Sequence, residues 1–259
     1  MIIDQKKIKI WSTIGSRATF GMALLEISKD MKDLIVLSSD VSTSAGLDRF
    51  RKMQPEKYVE LGISEQNMIG VATGLSAENF NVVTTTFAPF QTIRCCEQIK
   101  INLGYMKHKV TLVGLASGLA LGNLGYTHCC IEDIGILRTI PNITILSPAD
   151  CLETVKCLQH SLKSKGSVYI RLTGTANNPI VYSEDYNFEI GKAIKLREGN
   201  DITIFSTGRM VHNSLKAAEI LSEKQISARV INIHTIKSID KKVIEDANNT
   251  KMIFSVEEH

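Results

Sequence analysis

The sequence predicts an α/β protein: a doubly wound, mostly parallel sheet with helices on both faces, followed by a smaller α/β unit. Three observations predict it. Short apolar runs rich in β-branched residues recur along the chain, and longer stretches with helical spacing separate them. The runs are apolar at consecutive positions, the pattern of parallel strands covered on both sides. Strand–helix alternation of this kind packs as a layered sheet.

The expected strands are LIVLSSD (34–40), YVELGI (58–63), NVVTTTF (81–87), KVTLVGLA (109–116), NITILSP (142–148) and SVYIRLT (167–173). After the second comes a helical stretch, SEQNMIGVATGLSAEN, with Ser64 in the N-cap position. After the fifth, ADCLETVKCLQHSLKSKG places Leu152, Val155, Gln159 and Leu162 at helical spacing and runs to Gly166. Residues 174–187 break the pattern with TANNPIVYSEDYN, whose Pro, Asn and acidic residues read as a linker. A second unit then alternates again: IGKAIKLREG, DITIFSTG, a helix NSLKAAEILSEKQ, ARVINIH, a helix around DKKVIEDANN, and KMIFSVEEH. The expected layout is a first domain at 1–175, a linker at 176–188, and a second domain at 189–259 that is incomplete because its sheet stops on a strand.

At 259 residues the chain has room for one large or two ordinary domains. A formal charge of +3 with no long Lys/Arg run argues against nucleic acid as a partner. No apolar stretch reaches membrane-span length, and MIIDQKKIKIW lacks the apolar region of a signal peptide. The six cysteines are Cys95, Cys96, Cys129, Cys130, Cys151 and Cys157. Two adjacent pairs and no CxxC read as reduced thiols in a cytoplasmic compartment. A metal reading is weak, because His128 directly adjoins Cys129 instead of standing at ligand spacing. In SGLALGNLG (117–125), Gly118, Gly122 and Gly125 do not fit GxGxxG, and neither GxxxxGK[ST] nor GxSxG occurs.

Three segments carry a resemblance. LGISEQNMIGVATGLS (61–76) resembles the segment of thiamine-dependent transketolases and deoxyxylulose-phosphate synthases that bears the cofactor-activating glutamate. TTTFAPFQTIRCCEQIK (84–100) resembles the motif whose aromatics pack on the pyrimidine, and GNLGYTHCCIEDIGILRTIPNITILSPAD (122–150) resembles the family's THxxxED stretch with the strand after it. They stand in family order, and the resemblance covers roughly the whole chain.

The resemblance implies thiamine diphosphate as cofactor and assigns roles to single residues. Glu65 is the carboxyl that shares a proton with the pyrimidine nitrogen. Phe90 is the aromatic stacked on that ring, supported by Phe87. Asp40 and Val41, at the end of a strand, match an Asp-Leu pair near the thiazolium, where α/β sheets bind ligands. Ile63 and Arg94 belong beside the cofactor, Arg94 facing it or a partner chain. His128 faces substrate hydroxyls and moves protons. Arg17 and Arg171 clamp phosphate, with Ser42 on the substrate side. The residues alone allow plainer readings: a helix-start Glu, core phenylalanines, a turn-capping Asp, a structural His and surface arginines in ion pairs.

The chain also departs from the family pattern. Gly122-Asn123-Leu124-Gly125 replaces Gly-Glu-Asp-Gly, Ala116 stands where a phosphate-binding histidine is expected, and Ile93 where an aromatic is. A modified, nucleotide-linked or non-phosphorylated sugar is therefore expected. The Gly-Asp-Gly…Asn motif for Mg²⁺ and diphosphate does not occur. The expected molecule is the C-terminal subunit of a split transketolase that works with an N-terminal diphosphate-binding subunit as an α2β2 assembly, the partner holding Mg²⁺. The alternatives are the beta subunit of a 2-oxoacid dehydrogenase, a deoxyxylulose-phosphate-synthase-like enzyme, and a non-catalytic scaffold paralogue.

Overall fold

The computed structural model describes residues 1–173 and 176–258, so the expected boundary at 174–175 and the terminal His259 lie outside the described residues. Two helices, α1 (Gln5–Ile14) and α2 (Ser16–Ile27), precede β1 (Leu34–Ser38). There follow α3 (Asp48–Met53), β2 (Tyr58–Glu60), α4 (Glu65–Ala77), β3 (Asn81–Phe87), α5 (Ala88–Thr92), α6 (Cys96–Gln98), β4 (Val110–Leu115), α7 (Asp133–Thr139), β5 (Ile143–Leu146), α8 (Cys151–Lys163) and β6 (Ser167–Arg171). The second unit holds β7 (Ile194–Arg197), β8 (Ile202–Ser206), α9 (Met210–Glu223), β9 (Ala228–Asn232), β10 (Thr235–Lys237), α10 (Lys241–Asp246) and β11 (Met252–Val256).

The larger sheet has seven strands in the order β10-β5-β6-β4-β3-β1-β2. All pairings are parallel except that of β10 with β5. Consecutive residues of its strands serve opposite faces, as the two-residue strand period requires. Val36, Val83, Val113, Leu146 and Ile170 enter one apolar cluster with Trp11, Phe20 and Leu24 of the N-terminal helices and Val155 and Leu158 of α8. Their neighbours Leu37, Val82, Leu112, Ile145 and Tyr169 enter a second with Met68 and Ile69 of α4 and Leu137 of α7. Each large apolar side chain so buried stabilises by about 1.5–3 kcal/mol. This is why the runs are apolar throughout. β2 is the exception, an edge strand with Val59 exposed.

The second sheet has the order β11-β8-β9-β7, with β7 antiparallel to β9. Its segment does not stand apart: β10 leaves it and pairs with β5 of the first sheet, Thr235 opposite Leu146. Nor does the expected linker hang free. The Asn178 amide donates to the Ser12 carbonyl (2.9 Å), those of Val181 and Tyr182 donate to Asp150 Oδ2 (2.9 Å each), and Tyr182 and Phe188 are buried. Ser64 occupies the N-cap position of α4 as expected, but its hydroxyl donates to the Leu61 carbonyl (2.7 Å) and makes no cap hydrogen bond. Helix α8 is capped by Asp150 and ends at Lys163, before Gly166.

Candidate active site

The candidate residues gather at the carboxyl ends of the parallel strands, where open α/β sheets bind ligands. Glu60 ties the first of these turns together. Its carboxylate accepts the backbone amides of Asp40 (2.7 Å), just past β1, and Gly62 (3.1 Å), in the turn into α4. Gly62 has a positive φ of 67°, which glycine adopts without strain. That turn sets Glu65 at the first position of α4, buried at 4% exposure, with the 77% exposed Ile63 beside it.

Arg94, just past α5, reaches Glu65. Its Nη1 lies 2.9 Å from each carboxylate oxygen. Its guanidinium carbon stands 4.2 Å from the centroid of Phe90. Phe90 meets Phe87 edge-on at 6.4 Å, and both rings meet the imidazole of His128 edge-on, at 5.5 Å from Phe90 and 5.7 Å from Phe87. Glu65, Arg94, Phe90, Phe87 and His128 thus form one continuous cluster, though 63 positions separate Glu65 from His128.

The loop bearing His128 is closed at its base by Gly118 and Cys130, whose amides and carbonyls bond reciprocally at 2.7 and 2.9 Å. Burial pushes the thiols of Cys95 and Cys130 up to about 12, so both stay protonated near neutrality and are poor nucleophiles and ligands. All six cysteines are free. Among the described residues no group of three His, Cys, Asp or Glu side chains could hold a metal.

The other expected residues lie outside this cluster. Asp40 is exposed on a left-handed backbone, φ 55°, and Val41 is buried. The Ser42 hydroxyl points to Asp48 Oδ1 at 3.4 Å. Arg17, in the first turn of α2, lines an open pocket with Gly15, Thr43, Ser44 and Gly46. Gly21 holds α2 against that loop, because a Cβ there would lie 2.0 Å from the Gly46 carbonyl oxygen. Ala116 also takes a left-handed backbone, φ 51°.

Arg171, which the resemblance implies as a phosphate clamp, lies at the end of β6 and is 3% exposed. Its Nε donates to Asp133 Oδ2 (2.9 Å) and its Nη1 faces Glu258 at 3.9 Å. The Tyr169 hydroxyl donates to the same Asp133 oxygen (2.8 Å). The Arg171 guanidinium, paired with the buried Asp133 carboxylate, anchors the THxxxED loop from within. The Glu65–Arg94 pair and this Asp133 anchor were not deduced from the sequence; the ED of the THxxxED stretch was the one available signal for the second.

A buried carboxyl, a guanidinium on an aromatic face and a half-buried imidazole thus stand together at the strand ends. The fold is that of a doubly wound α/β protein with its candidate site at the carboxyl ends of the parallel strands. The family model "Transketolase, pyrimidine binding domain" matches residues 12–178, and "Transketolase, C-terminal domain" matches 191–259. The chain belongs to the transketolase family.

Within that family it is similar to components of split transketolases. It is 37% identical over 248 residues to an apulose-4-phosphate transketolase subunit of Phocaeicola vulgatus, covering 95% of this chain and 79% of that one. It is 36% identical over 244 residues to a 6-deoxy-6-sulfo-D-fructose transketolase subunit of a Clostridium species, covering 93% and 75%. Among solved structures, "Split gene transketolase, inactive beta4 tetramer" superposes with a TM-score of 0.87 at 35% identity, covering 95% of this chain and 80% of that one. Full-length human transketolase is 32% identical, and the chain spans 41% of it. No helix among the described residues is long and apolar enough to cross a membrane.

Proposed function

We propose that this chain binds the pyrimidine end of thiamine diphosphate and, with an N-terminal diphosphate-binding subunit that holds Mg²⁺, transfers a two-carbon ketol unit between sugars in the cytoplasm. The observation that carries the reading is the buried Glu65 carboxyl, joined through the Arg94 guanidinium to the face of Phe90, with His128 against the same ring. When bound, thiamine diphosphate supplies a nucleophilic carbon that accepts the ketol fragment and passes it on.

The residues divide the remaining work. Glu65 exchanges a proton with the pyrimidine nitrogen. Phe90, backed by Phe87, orients the ring, and Ile63 lies beside it. Asp40 and Val41, past β1, border the thiazolium. His128 takes and returns protons of substrate hydroxyls, as an imidazole near neutrality does well. Arg17 and Ser42 face the substrate's far end. Arg171, oriented by Asp133 through its Nε, is the second proposed phosphate contact.

An α2β2 assembly is favoured by the split relatives, one of which is described as inactive as a β4 tetramer. Loss of the expected acidic residue and histidine at Leu124 and Ala116 favours a non-standard sugar. The split relatives, named for apulose 4-phosphate and a sulfofructose, are of that kind.

The test is Glu65→Gln in the complex reconstituted with the diphosphate-binding partner. Turnover should fall by about 10²-fold or more, as loss of a proton-transferring group does, with the complex still assembled. Unchanged turnover would point to a scaffold.

A further inference from the structure

We propose that Arg94 is a built-in stand-in for the cofactor's pyrimidine: one planar side chain that fills both of the ring's contacts and must swing aside to admit it. The inference rests on the reading that Glu65 and Phe90 hold that ring.

The geometry is specific. Nη1 of Arg94 gives one nitrogen to both Glu65 oxygens at 2.9 Å, the contact expected of a heterocycle nitrogen on the same carboxyl. The guanidinium carbon sits 4.2 Å from the Phe90 centroid, within stacking range for a flat cation. The neighbours of Phe90 elsewhere are the rings of Phe87 and His128, both edge-on. A second flat group cannot lie on that guanidinium-covered face and also reach Glu65 while Arg94 keeps its place.

Arg94 is also built to leave. Its side chain is 43% exposed, against 4% for Glu65, so the departing cation regains water while the incoming ring nitrogen takes its place on the buried carboxyl. Its backbone is pinned separately. The carbonyl accepts from Gln66 Nε2 (3.1 Å), and the amide donates to the Pro89 carbonyl (3.2 Å). The side chain can therefore turn without moving α4 or α5. The adjoining surface pocket, lined by Ile63, Ser64, Gln66 and Asn67, offers it room. Until then, Arg94 spares a buried carboxyl the cost of standing without a donor. The family reading gives Arg94 a place near the cofactor, whereas the geometry makes it a competitor for the cofactor's position.

The experiment compares wild type with Arg94→Ala and Arg94→Lys in the complex with the diphosphate-binding partner, using calorimetry and stopped-flow fluorescence. The probes are thiamine diphosphate and inorganic pyrophosphate. Removing the competitor should tighten thiamine diphosphate binding and speed its association about tenfold. The lysine variant, which keeps the charge and loses the plane, should fall between. Pyrophosphate affinity should not change, because that ligand has no ring to displace Arg94. Weaker or unchanged thiamine diphosphate binding in Arg94→Ala would overturn the proposal, making Arg94 a support of the bound ring or a bystander. An equal shift for both probes would overturn it too, placing Arg94 in subunit assembly. A wild-type complex that binds pyrophosphate but gains nothing from the ring would refute the underlying site instead.

Discussion

The side-chain amide of Asn232, at the end of β9, donates to both carboxylate oxygens of Glu153 in the first turn of α8, at 2.9 and 3.0 Å. One residue belongs to the smaller sheet's unit and the other to the larger's, and both are fully buried. Glu153 also accepts the Ala149 amide (2.6 Å) and the Tyr186 hydroxyl (2.8 Å). The two sheets are thus locked by a carboxyl with its hydrogen bonds filled. Asn232→Ala should destabilise the chain by about 1–3 kcal/mol, the cost of stripping a donor from a buried acceptor. Urea unfolding measures it, and a loss under about 0.5 kcal/mol would deny the lock its role.

Asp150, which caps α8 and receives the linker's amides, should leave a pH signature. Burial, partly offset by its backbone hydrogen bonds, raises its carboxyl from 3.8 to about 6. A raised acid favours the protonated folded state. Its stabilising contribution is therefore complete below about pH 4 and is lost as pH rises through about 6. Relative to Asp150→Asn, which does not titrate there, the wild type should lose about 3 kcal/mol between those pH values. Unfolding midpoints of both proteins from pH 4 to 7 check this, and parallel curves would exclude it.

His128→Asn should lower kcat of the reconstituted complex by about 10²–10⁴-fold, the usual worth of a positioned acid–base group. Thiamine diphosphate affinity should hold within a few-fold, because the imidazole meets the aromatic rings edge-on and leaves the Glu65–Arg94 pair to other contacts. Calorimetry on the variant separates the two effects. A parallel collapse of affinity would make His128 a cofactor-binding group.

Purified alone, the chain should bind thiamine diphosphate weakly and turn over nothing. On the proposed reading, Glu65 and Phe90 serve only the pyrimidine end of the cofactor. Titration with and without the diphosphate-binding partner tests this, and full activity from the lone chain would end the split-enzyme reading.

The substrate leaves a trace in what is missing. With Ala116 in place of the expected histidine, the proposed site lacks one expected hold on a standard phosphosugar. Xylulose 5-phosphate and its dephosphorylated form should therefore differ little in kcat/KM. A preference of about 100-fold for the phosphorylated form, roughly 2.7 kcal/mol, would restore an ordinary substrate.

Much of this was legible in the sequence because parallel strands covered on both sides leave an unbroken apolar record. Each of the six runs of the first unit contains a strand, and Val82 and Val83 already encode two faces by adjacency. The cluster of Glu65, Phe87, Phe90 and His128 was reachable only through the three segments that resemble the family's motifs. What escaped was pairing at long range. Nothing local marks Arg94 as the partner of Glu65, or Arg171 as internal, because an arginine reads as exposed until its carboxylate is found. β10 escaped for a related reason: three residues of TIK carry no period, and they become a strand only because β5 presents an unpaired edge. The N-terminal pair α1 and α2 was passed over, although Ile8 and Trp11 of α1 lie three positions apart on one buried face.

β10 has a practical corollary. It shields the outer backbone groups of β5, which would otherwise form a bare sheet margin ready to recruit another chain. Cutting the polypeptide in the segment around residue 180 would therefore not free a tidy cofactor-binding module. It would expose an adhesive border and prise open the Glu153 lock, so a soluble fragment for ligand work has to run through at least Lys237.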